Sequence, residues 1–496
     1  MTLSTRLTNT LWRSALALVA LTGFLVAATE TPAAGPRPLF QMPVPCGQTW
    51  EASTYAEHWT VDKVAHPNAI DLAQRDEDGS NISEGEPALA SAAGTVLKVF
   101  TTKTKGENRV YIDHGDGWRT DYVHLESLPP LTVGQHVAQG EMLGRISNSG
   151  AKSMHLHYNQ MKDGEPARVS FNGKLIDTFD GNADAYDSWG TDRAEKLTSL
   201  NCPSDSFVPF VQNGMRYQLL YKPTSGEVKV QRLDADGTGT TSVWNGTWLQ
   251  RYTNLVPFML YGGQQHLFAY QASTGKVRFD RMNGQGAGTT MIANRTWGKG
   301  WTHFMPFSLG GRPYFIAYDS LRGRANIERV NGEGSGSTTI YSHTWDEGWT
   351  HFTPYVSGGV QYVLLYKGGT GYVEVDKITG SGDNVSLTQM WSDTWSPGWS
   401  YLVPLKHNGS VHLFAYRAAT GDVSYNKLKS GGQGTQHLGS ATWTTTWTAF
   451  TPFLQDGDGA LFAYKAGTGA AQIRMLNEGG SGSSEIWTGS WTTGWS

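Results

Sequence analysis

Residues 296–345 read TWGKGWTHFMPFSLGGRPYFIAYDSLRGRANIERVNGEGSGSTTIYSHTW. His303–Ser308, Pro313–Asp319, Ala325–Val330 and Thr338–Thr344 are short runs rich in aromatic and β-branched residues and split by Gly turns, so each reads as a strand. The wording recurs six times. Proline stands at 209, 257, 306, 354, 404 and 452, tyrosine of an LFAY-like strand at 221, 270, 318, 366, 416 and 464, and tryptophan of a TW-like pair at 248, 297, 345, 395, 443 and 491. Four strands in each repeat of this length make the blade of a β-propeller. A single blade cannot bury both of its faces, so the copies must stack around a ring. Residues 204–496 are therefore expected to form a six-bladed propeller, with an open solenoid or two β-trefoils as alternatives. The first copy opens at Phe207-Val208-Pro209-Phe210 and the last closes at Trp491–Ser496, so the seam would bring those two stretches together.

Each repeat holds a second aromatic position: Tyr252, Trp301, Trp349, Trp399, Trp447 and Trp495. The first tryptophan of each pair is expected to pack blade against blade. The second could face outward beside polar loops and stack on sugars, and six weak sites would then act by avidity. A protein platform or an inert ring are the alternatives.

The composition agrees with a β-rich chain: 60 of the 496 residues are glycine and 19 are tryptophan. The formal net charge of −4 gives no reason to expect a nucleic-acid partner. Residues 1–28 read as a secretory signal peptide, with Arg6 and Arg13, an apolar ALALVALTGFLV run at 15–26, and small residues at Ala27 and Ala28. That run is shorter than the ~20 residues a bilayer span needs. The expected protein is secreted, extracellular, monomeric and free of the membrane once cleaved. A short leader covers 29–38 and a first domain 39–203, with no large propeptide. An oxidising compartment would let Cys46 and Cys202 pair.

In the first domain, Gly94–Phe100, Arg109–Asp113 and Arg119–Leu125 alternate as strands, and His114–Gly117 reads as the turn of a hairpin. His114 and His136 read as solvated, and Asp113 and Asp116 as turn residues. In Met154-His155-Leu156-His157-Tyr158 the two imidazoles are two residues apart, so on a strand they share one face. Alone, such a pair is commonplace. His66, Asp71 and His124 supply further ligand-type groups. A His, a carboxylate and a second His can hold a metal with one position open, as a catalytic rather than a structural zinc requires.

The stretch from Cys46 to Gln160 resembles the secreted zinc metalloendopeptidases of the lysostaphin and β-lytic type. The resemblance rests on HPNAIDL (66–72), EPALASAAGTV (86–96), YIDHGDGWRTDYVHLESL (111–128), VGQHVAQGEMLGRISNSG (133–150) and MHLHYNQ (154–160), in the family's order. It implies an antiparallel sheet with a groove, one Zn2+ per chain, and cleavage of peptide bonds in bacterial peptidoglycan. It further implies that His66, Asp71 and His157 bind the metal while His124 and His155 act in catalysis. The first ligand stands at a variable distance before the aspartate in this family. His58, thirteen residues before Asp71, competes with His66, five before it; the HPNAID wording favours His66 and leaves His58 as a groove or surface histidine.

The whole then reads as a wall hydrolase whose propeller holds it on cell-wall glycans. A lectin or adhesin with an inactive peptidase-like domain, and a broader protease acting on Gly-rich proteins, are the competing accounts. The resemblance of the repeats to tachylectin-like sugar-binding propellers covers pattern only.

Overall fold

The computed structural model describes residues 37–45, 48–54, 58, 68–101, 108–126, 131–137, 139–176, 195–199, 201 and 207–495, apart from 224, 235–238, 261, 273, 321, 419, 456, 467 and 494. The expected signal peptide, His66, Cys46 and Cys202 lie outside the described residues. Among those described, helix is confined to the short 3-10 turns Gly284–Gly286 and Ser430–Gly432, and no helix is long and apolar enough to cross a membrane. The fold is all-β, as its sequence implies.

Among the described residues the first part has thirteen strands: β1 (Thr49–Ser53), β2 (Ile70–Ala73), β3 (Pro87–Leu89), β4 (Gly94–Phe100), β5 (Asn108–Gly115), β6 (Trp118–Leu125), β7 (His136–Val137), β8 (Met142–Arg145), β9 (Leu156–Lys162), β10 (Glu165–Ala167), β11 (Ser170–Phe171), β12 (Lys174–Leu175) and β13 (Glu195–Thr198). The main antiparallel sheet runs β13-β1-β2-β9-β6-β5-β4-β7, with β10 against β9. Period-two alternation decides what each face carries. Ile70, Leu72, Tyr122, Leu156 and Tyr158 point to one side and join Trp50, Val96, Val110 and Ile112 in a single core. Full burial of a side chain such as Leu156 stabilises by roughly 1.5–3 kcal/mol.

The polar groups on that side are paired. Tyr158 donates to Ser91 Oγ at 2.8 Å, and the Ser91 amide donates to the Tyr122 hydroxyl at 2.9 Å. His114 does not sit in solvent as its turn position suggests. Its Nδ1 lies 2.8 Å from the Ala93 carbonyl and its Nε2 2.7 Å from Thr120 Oγ1, and it packs edge-on against Phe40. Burial lowers its pKa. Asp113 and Asp116 do serve the turn: Asp113 accepts the Gly115 amide, and Asp116 takes φ 49°.

From residue 207 onward there are six four-stranded antiparallel sheets, each made of consecutive strands. The third comprises His303–Leu309, Arg312–Asp319, Arg324–Val330 and Ser337–Thr344, within a residue of the limits its sequence gives. Strand one of blade one packs on blade six and closes the ring. Gln218 Nε2 donates to Thr451 Oγ1 at 2.8 Å, and Phe207 stacks on Trp491 with centroids 6.4 Å apart.

The recurring tyrosine has a structural job. Its buried hydroxyl needs an acceptor and finds a carbonyl in the linker that follows its own blade: Tyr221 to Leu249 at 2.7 Å, Tyr270 to Gly298 at 2.7 Å, Tyr416 to Thr444 at 2.9 Å and Tyr464 to Thr492 at 2.7 Å. In four of the six repeats the first tryptophan meets the leading phenylalanine of the next blade, as Trp345 meets Phe352 at 6.5 Å; Leu255 and Leu402 lead the other two. Side chains also tie blade to blade around the axis. Asn254 donates to the Thr302 carbonyl, His351 Nε2 to that of Ser400, and the Tyr401 hydroxyl to that of Thr448.

The second aromatic position departs from expectation. Tyr252, Trp301, Trp349, Trp447 and Trp495 are at most 6% exposed, and Trp399 is partly buried. A cation from the following blade covers most of these rings: Arg324 over Trp301 at 5.0 Å, Lys367 over Trp349 at 4.8 Å, Arg417 over Trp399 at 4.7 Å and Lys465 over Trp447 at 4.8 Å. Trp495 lies under Lys222 of blade one at 4.4 Å. Cation–π contact and burial occupy these faces, so they cannot stack on sugars.

The Gly before the third strand of each blade is obligatory. Gly371 takes φ 76°, and a Cβ there would collide with the Trp395 carbonyl oxygen. Gly371→Ala is expected to destabilise by more than the roughly 1–2 kcal/mol of the left-handed conformation alone. Denaturant unfolding measures this; an unchanged midpoint would contradict the role.

Candidate metal centre

Asp71 on β2 lies directly opposite His157 on β9 in the antiparallel register. Ile70, Leu72, Leu156 and Tyr158 take the core side, so Asp71 and His157 must turn to the other. His155, one residue ahead of β9, falls on the same side by the two-residue period. Val123 pairs with His157 from the other flank, which brings His124 next to both histidines. Its ring centroid is 4.6 Å from His155 and 5.9 Å from His157.

His124 leaves the strand conformation with φ 65°. Left-handed backbone in a non-Gly residue costs free energy and persists where the surroundings impose it. Here the His124 carbonyl accepts the Ser147 amide at 2.9 Å and the Ser147 hydroxyl at 3.0 Å.

His58 completes the group. It is 1% exposed, its Nε2 stands 3.0 Å from Asp71 Oδ1, and its Nδ1 lies 3.2 Å from the Ala69 carbonyl. His157 Nδ1 is 3.2 Å and His155 Nε2 3.3 Å from the same carboxylate oxygen. Donor atoms of His58, Asp71 and His157 all lie within 4.8 Å of one another, and all three residues are buried. The set is chemically that of a zinc-type ion: two imidazoles and a carboxylate. Ligand bonds of about 2.0–2.1 Å on a tetrahedron place donors about 3.3 Å apart, close to the separations found. His157 Nε2 is buried with no hydrogen-bond partner among the described residues, so the polar inventory of this ring is not settled by protein groups alone. The residues present fit a metal.

Hydrogen bonds assign the protons. A ring nitrogen facing a carbonyl must carry hydrogen, which leaves the other nitrogen of a neutral ring as an acceptor. His58 Nδ1 faces the Ala69 carbonyl, His124 Nδ1 that of Ser149 at 2.8 Å, and His155 Nδ1 that of Ser153 at 3.0 Å. In its neutral form each of these rings turns an Nε2 lone pair away from the backbone. Burial, with His155 and His157 close by, lowers the pKa of His124 to about 4. Burial likewise brings His157 to about 4 despite its hydrogen bond to Asp71. Burial alone would raise the Asp71 carboxyl, but His58 and His155 beside it and the hydrogen bonds from His157 and His58 hold it well below the usual carboxylate range. Near neutral pH Asp71 is therefore a carboxylate and His124 and His157 are neutral imidazoles, the protonation states a cation needs.

Of the residues singled out in the sequence, Asp71, His124, His155 and His157 come together, and His66 lies outside the described residues. His58 is no groove or surface histidine: it is buried against Asp71. Nothing in a single sequence separates it from His66.

The family model of Peptidase family M23 matches residues 79–169. That span holds His124, His155 and His157 but neither His58 nor Asp71, which the fold delivers from ahead of it. The chain is 33% identical over 109 residues to the peptidoglycan DD-endopeptidase ShyC of Vibrio cholerae, a match over 20% of this chain and 25% of that protein. It is 37% identical over 84 residues to the cell division protein DipM of Caulobacter vibrioides, over 16% of this chain and 14% of that protein. The chain thus spans a quarter or less of each of these two relatives. Among solved structures, the catalytic domain of lysostaphin from Staphylococcus simulans aligns at 19% identity over 26% of this chain and 89% of that one, with a TM-score of 0.19. Residues 79–169 thus match Peptidase family M23, and the histidines of that span stand around Asp71.

Proposed function

We propose that this chain is an exported, zinc-dependent endopeptidase that hydrolyses peptide bonds in bacterial peptidoglycan, held on the cell wall by its propeller. The observation that carries the proposal is the convergence of His58, Asp71 and His157 with His124 and His155 at their edge. The similarity to a peptidoglycan DD-endopeptidase over the matched segment supports the substrate class. The apolar run at 15–26 supports export, which would also let Cys46 and Cys202 pair.

His58, Asp71 and His157 would hold the ion. When bound, zinc supplies Lewis acidity at the scissile carbonyl and brings the ionisation of water near neutral pH. The neutral Nε2 of His155 or His124 can then take a proton from the attacking water. As an imidazolium, the same ring can return that proton to the departing amine, and an oxyanion can be bound only by a ring carrying a proton on Nε2. The Ser149 and Ser153 carbonyls hold the Nδ1 hydrogen of each ring, which leaves Nε2 to accept the water's proton.

Purified peptidoglycan incubated with the full chain is expected to release new amino groups. A chelator should stop this and zinc restore it, with a Gly-rich protein substrate alongside. Zinc-loaded protein that frees no amino groups from peptidoglycan would overturn the proposal.

A further inference from the structure

The fourth blade differs from its neighbours at one buried spot. Its third strand, Tyr372–Ser381, lies between Val360–Tyr366 and Asn384–Thr394. Val373 and Val375 pack into the core shared with blade five, and Ile378 into the core shared with blade three. The two-residue period therefore sends Tyr372, Glu374 and Asp376 toward blade three. The register agrees. Glu374 stands opposite Leu365 and Asp376 opposite Val363, and both of those partners belong to the core that holds Ile378.

In three other blades the same two positions are in contact and chemically matched. Blade two has Arg278 and Asp280, joined at 2.6 Å. In blade three Asn326 donates to Glu328 at 3.4 Å, and in blade five Asn426 donates to Ser424 at 3.0 Å. Blade four has a carboxylate at both. Glu374 Oε2 accepts the Gln389 amide at 2.8 Å and the Tyr372 hydroxyl at 3.2 Å. Asp376 has no such donors. It is 9% exposed, and its Oδ1 is buried with no hydrogen-bond partner among the described residues. Burial, with Glu374 beside it, pushes its pKa up to about 7. Lys367 favours the Glu374 carboxylate from a distance. Its Nζ, however, pairs with Asp346 at 3.1 Å and covers Trp349 at 4.8 Å.

We propose that Glu374 and Asp376 together bind a divalent cation of the calcium or magnesium kind in the joint between blades three and four. Lys367 offsets Asp346, which leaves the two negative charges of the pair for a dication to match. A single proton would relieve only half of that charge. Carboxylate oxygens suit a hard ion rather than the softer metals that imidazole and thiolate select. Glu374 keeps Oε1 clear of both of its hydrogen bonds, and Asp376 turns an unpartnered oxygen toward it. A half-turn of the Gln389 amide would present a third kind of oxygen donor, and water completes the shell. With two carboxylates the site should be weak, with a Kd of about 10⁻⁴–10⁻³ M. It is separate from the imidazole-rich group around Asp71, and nothing in it depends on peptidase activity.

The test is calorimetric titration of the full chain, dialysed free of calcium and magnesium, with CaCl2 and with MgCl2 at pH 8 and constant ionic strength. At least one of the two ions is expected to bind, and their order tells which coordination the joint prefers. At a tenfold excess over Kd, that ion should raise the unfolding temperature by about 2–4 °C. Glu374→Gln with Asp376→Asn should abolish both responses. Without added ion the same variant should unfold at or above the parent's temperature, since it carries no like-charge pair. Glu374→Gln alone, at a half-buried position, should weaken binding at least ten-fold and serves if the double variant does not fold. No binding of either ion, or unchanged binding in these variants, would overturn the site. If acidification from pH 8 to pH 6 stabilises the parent while neither ion binds, the pair holds a proton instead, and the proposal fails.

Discussion

A His58→Ala protein is expected to lose zinc and peptidoglycan hydrolysis together, while His66→Ala retains both. His58 Nε2 stands 3.0 Å from Asp71 Oδ1, with its Nδ1 hydrogen committed to the Ala69 carbonyl. Nε2 is thereby aimed at the same place as Asp71 Oδ1 and His157 Nδ1. Removing a group that only orients a ligand costs about 10–100-fold in metal affinity, and removing a ligand should cost more. The remaining carboxylate and imidazole cannot supply the three protein ligands of a catalytic site. Metal analysis of dialysed protein, read beside release of amino groups from peptidoglycan, measures both effects. Stoichiometric zinc in His58→Ala with loss in His66→Ala would restore the reading that the HPNAID wording suggested.

His155→Ala should behave differently: zinc stays and turnover goes. The ring is 5% exposed and lies on the metal side of the sheet, and its Nε2 is 3.3 Å from Asp71 Oδ1. It is not among the three residues whose donors all lie within mutual reach. A positioned acid/base contributes typically 10²–10⁴-fold, so kcat should fall by about that factor with KM little changed. His124, with its Nδ1 fixed on Ser149 and its backbone pinned through Ser147, cannot move into the place that His155 vacates. Wild-type turnover in His155→Ala would remove that residue from the mechanism. Loss of zinc would turn it into a ligand.

The repeats were readable because a propeller blade writes its whole hydrogen-bonded plan into one contiguous stretch. The strands of blade three end within a residue of their sequence limits for that reason. Asp71 and His157 were readable as partners only through the family wording, since the register that faces them is set by chain 86 residues apart. His58 was beyond reach because it lies on no strand whose period would place it. The second aromatic of each repeat misled for a different reason. A tryptophan beside polar loops looks available for stacking, and the cation that covers it comes from the following blade. In the first blade the covering Lys222 belongs to the opposite end of the array from Trp495. His114 followed the same logic: its turn is exposed, but both its nitrogens are taken by Ala93 and Thr120.

Because every blade is woven from four consecutive strands, no strand is shared across the seam of the ring. Five of the six joints are also crossed by a covalent linker; among the described residues the joint between blades six and one is held by side-chain contacts. Gln218 on Thr451, Arg216 on Gln455, Phe207 on Trp491 and Lys222 over Trp495 make up that closure. Parting these contacts breaks packing and a few hydrogen bonds but no sheet ladder, and each blade stays internally intact. The seam is thus where the ring can breathe most cheaply, a mechanical weak point in an otherwise uniform circle.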